Sequence, residues 1–182
     1  MEDIFATQAS NGHQSLLLRI PDAWPSIANA INRRSLRDGW DPPEFTFQAV
    51  DARATQVPGI CTVYLPGVLA FRADLGPNLF PQESSVIELL PIVVGKERWL
   101  LLNCLTSAKQ IDEQQSQVMR GANGEIFMVL KVRVIDPAMR ACEVFTLADS
   151  NRGQLFVRSQ FKERVEALRL KGLTFQKVGE LA

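Results

Sequence analysis

The tightest constraint on this chain lies near its C-terminal end, where Gly153 to Val178 reads as strand, helix, strand. Leu155 and Val157 are two residues apart, the spacing of one face of a strand. Phe161, Val165 and Leu168 then recur at helical spacing between Ser159 and Lys171. Ser159 is placed to accept a hydrogen bond from an orphan amide at the helix start. Arg169 and Lys171 suit the negative end of the helix, and Gly172 is suited to a left-handed stop. Beyond it, Leu173 and Phe175 alternate with Thr174 and Gln176 as a half-buried strand. The unit specifies structure and carries no nucleophile, metal cluster or phosphate loop.

Working from the start of the chain, Met1 to Gln14 is polar and reads as a frayed end, and Ser15 to Ile20 as a short strand or a first helical turn. Trp24, Ile27, Ala30 and Ile31 fall at helical spacing and predict a helix from Pro25 to Arg37. Gly39-Trp40-Asp41-Pro42-Pro43 breaks it. Glu44–Val50 and Gly59–Leu65 read as strands that pair across the intervening loop. Val68, Phe71, Leu75 and Leu79 predict a short amphipathic helix. Ser85–Val94 and Arg98–Leu105 read as a hairpin turning at Gly95, with Pro91 marking an edge or a bulge. Glu125–Ile135 is a long strand with Ile126, Met128, Leu130, Val132 and Val134 on its core face. Ala141–Leu147 is another strand. The passages from Val68 to Leu89 and from Leu155 to Phe175 echo one another, each reading as apolar start, helix, turn and strand. The expected fold class is α+β: a mainly antiparallel sheet with two or three short amphipathic helices, organised as two similar halves or lobes.

The totals exclude several classes. Across 182 residues, 20 Lys and Arg balance 20 Asp and Glu, which gives no net drive toward a polyanion and argues against nucleic-acid binding through a broad basic surface. No run approaches the roughly 20 apolar residues of a membrane helix, and the first residues lack the progression of a signal peptide. Cys61, Cys104 and Cys142 are scattered, as buried free thiols of a reducing cytosol would be; one disulfide with an odd thiol is the rival arrangement. The expected location is cytoplasmic.

Catalytic kits are sparse. His13 is the sole histidine, and there is no G-x-S-x-G, phosphate loop, G-x-G-x-x-G or C-x-x-C. Glu83, Glu88, Asp112, Glu113 and Glu125 could supply a carboxylate pair, which keeps open a small carboxylate- or metal-dependent hydrolase or nuclease. The longest polar interval, Thr106 to Gly124, exceeds most connections, and such ordered segments serve as binding surfaces or lids. Within it Gln110, Asp112, Glu113 and Gln117 are the candidate partner-binding residues. Trp40 in its loop is either packed over the core or an exposed anchor for a partner. An exposed strand edge near Pro91 offers a third reading, a structural or regulatory homodimer.

The order Ile87-Glu88-Leu89-Leu90-Pro91-Ile92, then Trp99-Leu100-Leu101-Leu102-Asn103-Cys104-Leu105, Ile111-Asp112, Leu155-Phe156-Val157 and Phe161-Lys162-Glu163-Arg164-Val165-Glu166 through Gly172-Leu173-Thr174-Phe175 resembles a family of bacterial polymorphic-toxin immunity proteins. The resemblance covers Val68 to Val178. It divides the chain into residues 1–66, an N-terminal part or small lobe without a match, and 67–182, an immunity-like region. It implies a protein that is not an enzyme and needs no cofactor. Such a protein binds a cognate toxin, encoded beside it in a type VI-like or contact-dependent system, without engaging nucleic acid or membrane.

Overall fold

A computed structural model describes the chain except for residues 24, 26, 28–33, 50, 64, 82–84 and 151–153. Its described residues form two curled sheets with two short helices, a more β-rich architecture than the expected α+β arrangement. The first sheet is a closed barrel of six strands in the order β2 (Ser15–Leu18), β3 (Glu44–Gln48), β6 (Ile87–Val94), β7 (Glu97–Cys104), β5 (Leu65–Arg72) and β4 (Ile60–Val63). Parallel contacts of β3 with β6 and of β4 with β2 complete the ring, and its other pairings are antiparallel. The second sheet has the order β8 (Ser107–Ala108), β11 (Val144–Leu147), β12 (Phe156–Arg158), β1 (Glu2–Ala9), β13 (Leu173–Leu181), β10 (Ile126–Val134) and β9 (Gln117–Arg120). It curls until Ile126, at the start of β10, forms a bridge with Ser150 beyond β11. Helix α1 (Gly76–Leu79) follows β5 through a 3-10 turn, and helix α2 (Ser159–Ala167) joins β12 to β13.

Burial explains why several strands read as continuous apolar runs. In β7, Trp99 and Leu101 point into the barrel core, while Leu102 and Cys104 join a second core shared with Val144, Leu155, Val157 and the α2 residues Phe161 and Val165. A strand buried on both faces loses its polar alternation. The two helices meet in this shared core. Phe80, just after α1, lies 5.5 Å from the ring of Phe161, and Arg164 Nε donates to the Leu79 carbonyl at 2.9 Å. The two echoing passages are both strand, helix and strand, and they pack together at their helices.

Several expectations need correction. The N-terminal segment is not frayed: β1 lies between β12 and β13, with Ile4 and Ala6 fully buried. Arg158 of β12, itself buried, pairs with Glu2, and Lys177 of β13 pairs with Asp3 at 2.7 Å. A polar composition hid this strand because its outward positions are satisfied by neighbours far away in sequence. Of the helix expected over Val68 to Leu79, the first part to Arg72 belongs to strand β5, and the helical part is confined to Ala73–Leu75 and Gly76–Leu79. β3 does not pair with β4; each flanks β2. Leu168 is 36% exposed and does not anchor α2. The helix expected over Pro25 to Arg37 falls largely outside the described residues, although its expected end, Arg34 to Arg37, is not helical.

The stop after α2 also differs in detail. Arg169 takes the positive φ of 54° that ends the helix, and Ser159 begins it without a side-chain cap. Gly172 has a second task. Its φ is 118°, and a Cβ there would stand 2.0 Å from the Ile60 carbonyl oxygen. The amide of Gly59 donates to Lys171 O at 2.9 Å, so glycine at 172 lets the chain press against the start of β4.

Candidate functional site

Four of the five sequence-predicted contact residues, Gln110, Asp112, Glu113 and Gln117, lie along one edge of the second sheet, while Trp40 belongs to the barrel. The edge is built as one extended passage running antiparallel to β10 and interrupted by a turn. Ile111 bridges Val134, Gln110 O accepts from Ile135 N at 3.2 Å, and Asp112 N donates to Arg133 O at 2.9 Å. Asp112 Oδ1 then accepts the amides of Gln114 and Gln115 at 3.1 and 3.2 Å, which throws Glu113 to Gln115 outward as a short Asx turn. Ser116 Oγ takes the Arg133 amide at 3.0 Å, and Gln117 resumes the ladder opposite Lys131. The carboxylate of Asp112 is thus a turn-former. Glu113 pairs with Arg120 at 2.6 Å, and Arg120 also reaches Gly124 O at 2.8 Å and Asp149 at 3.4 Å, closing the hairpin from its side.

The most exposed apolar surface of this sheet lies on the same hairpin. Phe127 is 62% exposed, Leu130 59%, Met128 47% and Met119 45%. Sequence alternation places Met128 and Leu130 in the core, and the structure overturns that expectation. Register shifts between Ile126 and Met128 and between Val129 and Lys131 turn the strand, so that Ile126, Val129 and Val132 face inward instead. The bulges cannot be read from period-two alternation.

Trp40 is packed against the barrel core, and its Nε1 donates to the Pro91 carbonyl at 2.7 Å. That carbonyl lies on β6 before its ladder with β3 begins at Val93, so the indole covers the exposed edge that Pro91 marks. Glu88, buried on β6, accepts from Ser35 Oγ, from Leu36 N at 2.9 Å and from Asn103 Nδ2 at 3.0 Å. Burial raises its pKa, but those hydrogen bonds and the nearby Arg37 charge outweigh burial and hold the carboxyl below its ordinary range. Glu88 is therefore occupied in pinning Ser35 and Leu36 to the barrel wall. Glu83 lies outside the described residues. Among those described, Glu88, Asp112 and Glu113 are each engaged with separate partners, and no cluster of three His, Cys, Asp or Glu residues is formed. His13 Nδ1 lies 3.3 Å from Asn11 O at the end of the β1–β2 connection, and the His13 backbone bridges Gln56. Among the described residues no helix is long and apolar enough to cross a membrane.

No protein-family model matches the chain, and a search of curated proteins gives no significant match. The class that fold and surface define is a β-rich two-sheet protein with an apolar edge hairpin beside a polar turn.

Proposed function

We propose that this protein is an immunity protein, one that binds a cognate bacterial toxin and neutralises it by direct contact through the β9–β10 hairpin. The observation that carries the reading is the exposure of four large apolar side chains, Met119, Phe127, Met128 and Leu130, on one hairpin whose Met119 and Met128 are register partners, beside the Asp112–Gln115 turn. Monomers rarely leave large apolar side chains contiguous on a surface without a use for them, and aromatic and Met side chains are enriched at interface centres. The polar residues Gln110, Glu113 and Gln117 supply a rim of hydrogen-bonding groups around that centre. The motif resemblance in β6, β7 and the α2–β13 unit supports the same reading, and binding a toxin requires no catalytic group of the protein's own.

The test is co-expression with the product of the adjacent gene. Growth of cells carrying that product should be restored, and the two chains should elute together in gel filtration. Absence of both rescue and complex overturns the reading.

A further inference from the structure

Met119 and Met128 are register partners across β9 and β10. Directly opposed residues carry their side chains on one face of a hairpin, with Cβ atoms about 5 Å apart. The next register pair, Val118 and Val129, packs against the core of the second sheet. The valines therefore hold the hairpin down while both thioethers stand in solvent.

The remaining sulfur of the chain, apart from Met1, is withdrawn from solvent. Met139 is 2% exposed, and Cys61, Cys104 and Cys142 are buried. Thiols attack peroxides as thiolates. Burial pushes the Cys61 thiol up to about 12, against a weaker opposing backbone hydrogen bond from Leu16, and burial also raises Cys142. A thioether needs no deprotonation and only has to be reached. The protein therefore presents its methionines to an oxidant ahead of its cysteines.

We propose that Met119 and Met128 form a paired oxidation site, at which a two-electron oxygen donor of the peroxide or hypochlorous acid class converts the apolar hairpin into a polar one. With hydrogen peroxide, a sulfur lone pair attacks one oxygen, and the S–O bond forms as the O–O bond breaks. The departing hydroxide takes the proton shed by the transferred oxygen and leaves as water. Sulfur loses two electrons to become a sulfoxide, and the peroxide gains them. Two sulfoxides side by side put on the exposed hairpin strong dipoles that a dry interface cannot accommodate without hydrogen-bond partners. The effect on partner binding rests on the docking reading above; the modification itself does not.

The experiment treats the full chain with dilute hydrogen peroxide beside a Met119→Leu, Met128→Leu double variant that retains Met1 and Met139. Peptide mass spectrometry maps the sulfoxides, and hydrophobic-interaction chromatography reads the surface. Met119 and Met128 are expected to oxidise at least about tenfold faster than buried Met139. The oxidised wild type should elute earlier, while the treated double variant, whose accessible thioether is that of Met1 alone, should shift by no more than Met1 oxidation contributes to both. Equal oxidation of Met139, or unchanged elution of the oxidised wild type, overturns the proposal. In a second arm, affinity for the product of the adjacent gene should fall about tenfold on oxidation of the wild type and stay constant in the double variant. A complex indifferent to oxidation overturns the switch. Failure of the reduced protein to bind at all refutes the docking reading instead, and the chromatographic arm still decides the modification.

Discussion

Glu88 and Asn103 face each other as register partners on β6 and β7, and Asn103 Nδ2 donates to Glu88 Oε2 at 3.0 Å. The same amide nitrogen reaches Arg34 O at 2.8 Å, and the same carboxylate takes the Leu36 amide and the Ser35 hydroxyl. One cross-strand pair thus fastens the segment entering the Trp40 loop to two barrel strands at once. The leucine-rich strand that closes on Asn103 is conspicuous in sequence, and the reason for the asparagine is this clasp.

Glu88→Gln should cost about 2 kcal/mol at neutral pH, because an amide nitrogen would then face groups that donate to a charged acceptor. The cost should depend on pH. The folded-state pKa lies below the ordinary value of 4.5, so the carboxylate's contribution is fully present above that value and is lost as pH falls through the depressed folded pKa. Urea unfolding of wild type and variant should give curves that separate at pH 7 and converge as pH falls through the depressed folded-state pKa. A gap that is constant with pH would mean that the charge on Glu88 is irrelevant to the clasp.

Trp40→Phe keeps a ring against the barrel and removes the donor to Pro91 O. A loss of about 1 kcal/mol in thermal or chemical unfolding is expected. Affinity for the product of the adjacent gene should not change, since the indole is committed to its own barrel. A large affinity loss without a stability loss would restore Trp40 as an anchor.

Gly172→Ala should be among the most damaging single substitutions. The new Cβ would meet the Ile60 carbonyl at 2.0 Å and the Pro58 Cβ at 2.4 Å, at a φ of 118° that disfavours alanine. A cost of about 3 kcal/mol or more follows, measurable as a lowered Tm. Gly95→Ala is the control: its φ is also positive, at 63°, but nothing lies within 4 Å of the added carbon, so its smaller loss isolates the close approach at Gly172.

Legibility followed the range of the forces involved. The β6–β7 hairpin was readable because its turn at Gly95 and its apolar runs are local, and every register pair from Ile87 with Cys104 to Val94 with Glu97 forms. Helix α2 was readable from Phe161 and Val165, which are both buried. β1 was not, since what makes it a central strand is pairing with residues 150 or more positions away. Leu65–Arg72 carries apolar residues at spacings that fit a helix, and two-sided burial between barrel and shared core makes it a strand. At the candidate site, the polar interval was legible as one surface: Gln110, Asp112, Glu113 and Gln117 lie along one edge of the second sheet. The apolar half of that surface was hidden by two bulges, because a one-residue shift in register moves Met128 and Leu130 from core to solvent.

The exposed side chains of the hairpin allow binding to be tested apart from folding. Phe127→Asp and Leu130→Asp alter side chains that are mostly in solvent, so each should change stability by less than about 0.5 kcal/mol. If these residues form the centre of the interface, each should weaken the complex with the product of the adjacent gene at least tenfold, about 1.4 kcal/mol or more. Glu113→Lys tests the rim: it breaks an exposed pair with Arg120 that is worth under about 1 kcal/mol to the fold. Its effect should fall mainly on the association rate and grow at low salt, as rim charges do. Calorimetry and surface plasmon resonance on the same variants distinguish these outcomes. A complex that forms with wild-type affinity in both aspartate variants places the contact elsewhere, because a carboxylate cannot be buried at an apolar interface centre without a measurable penalty.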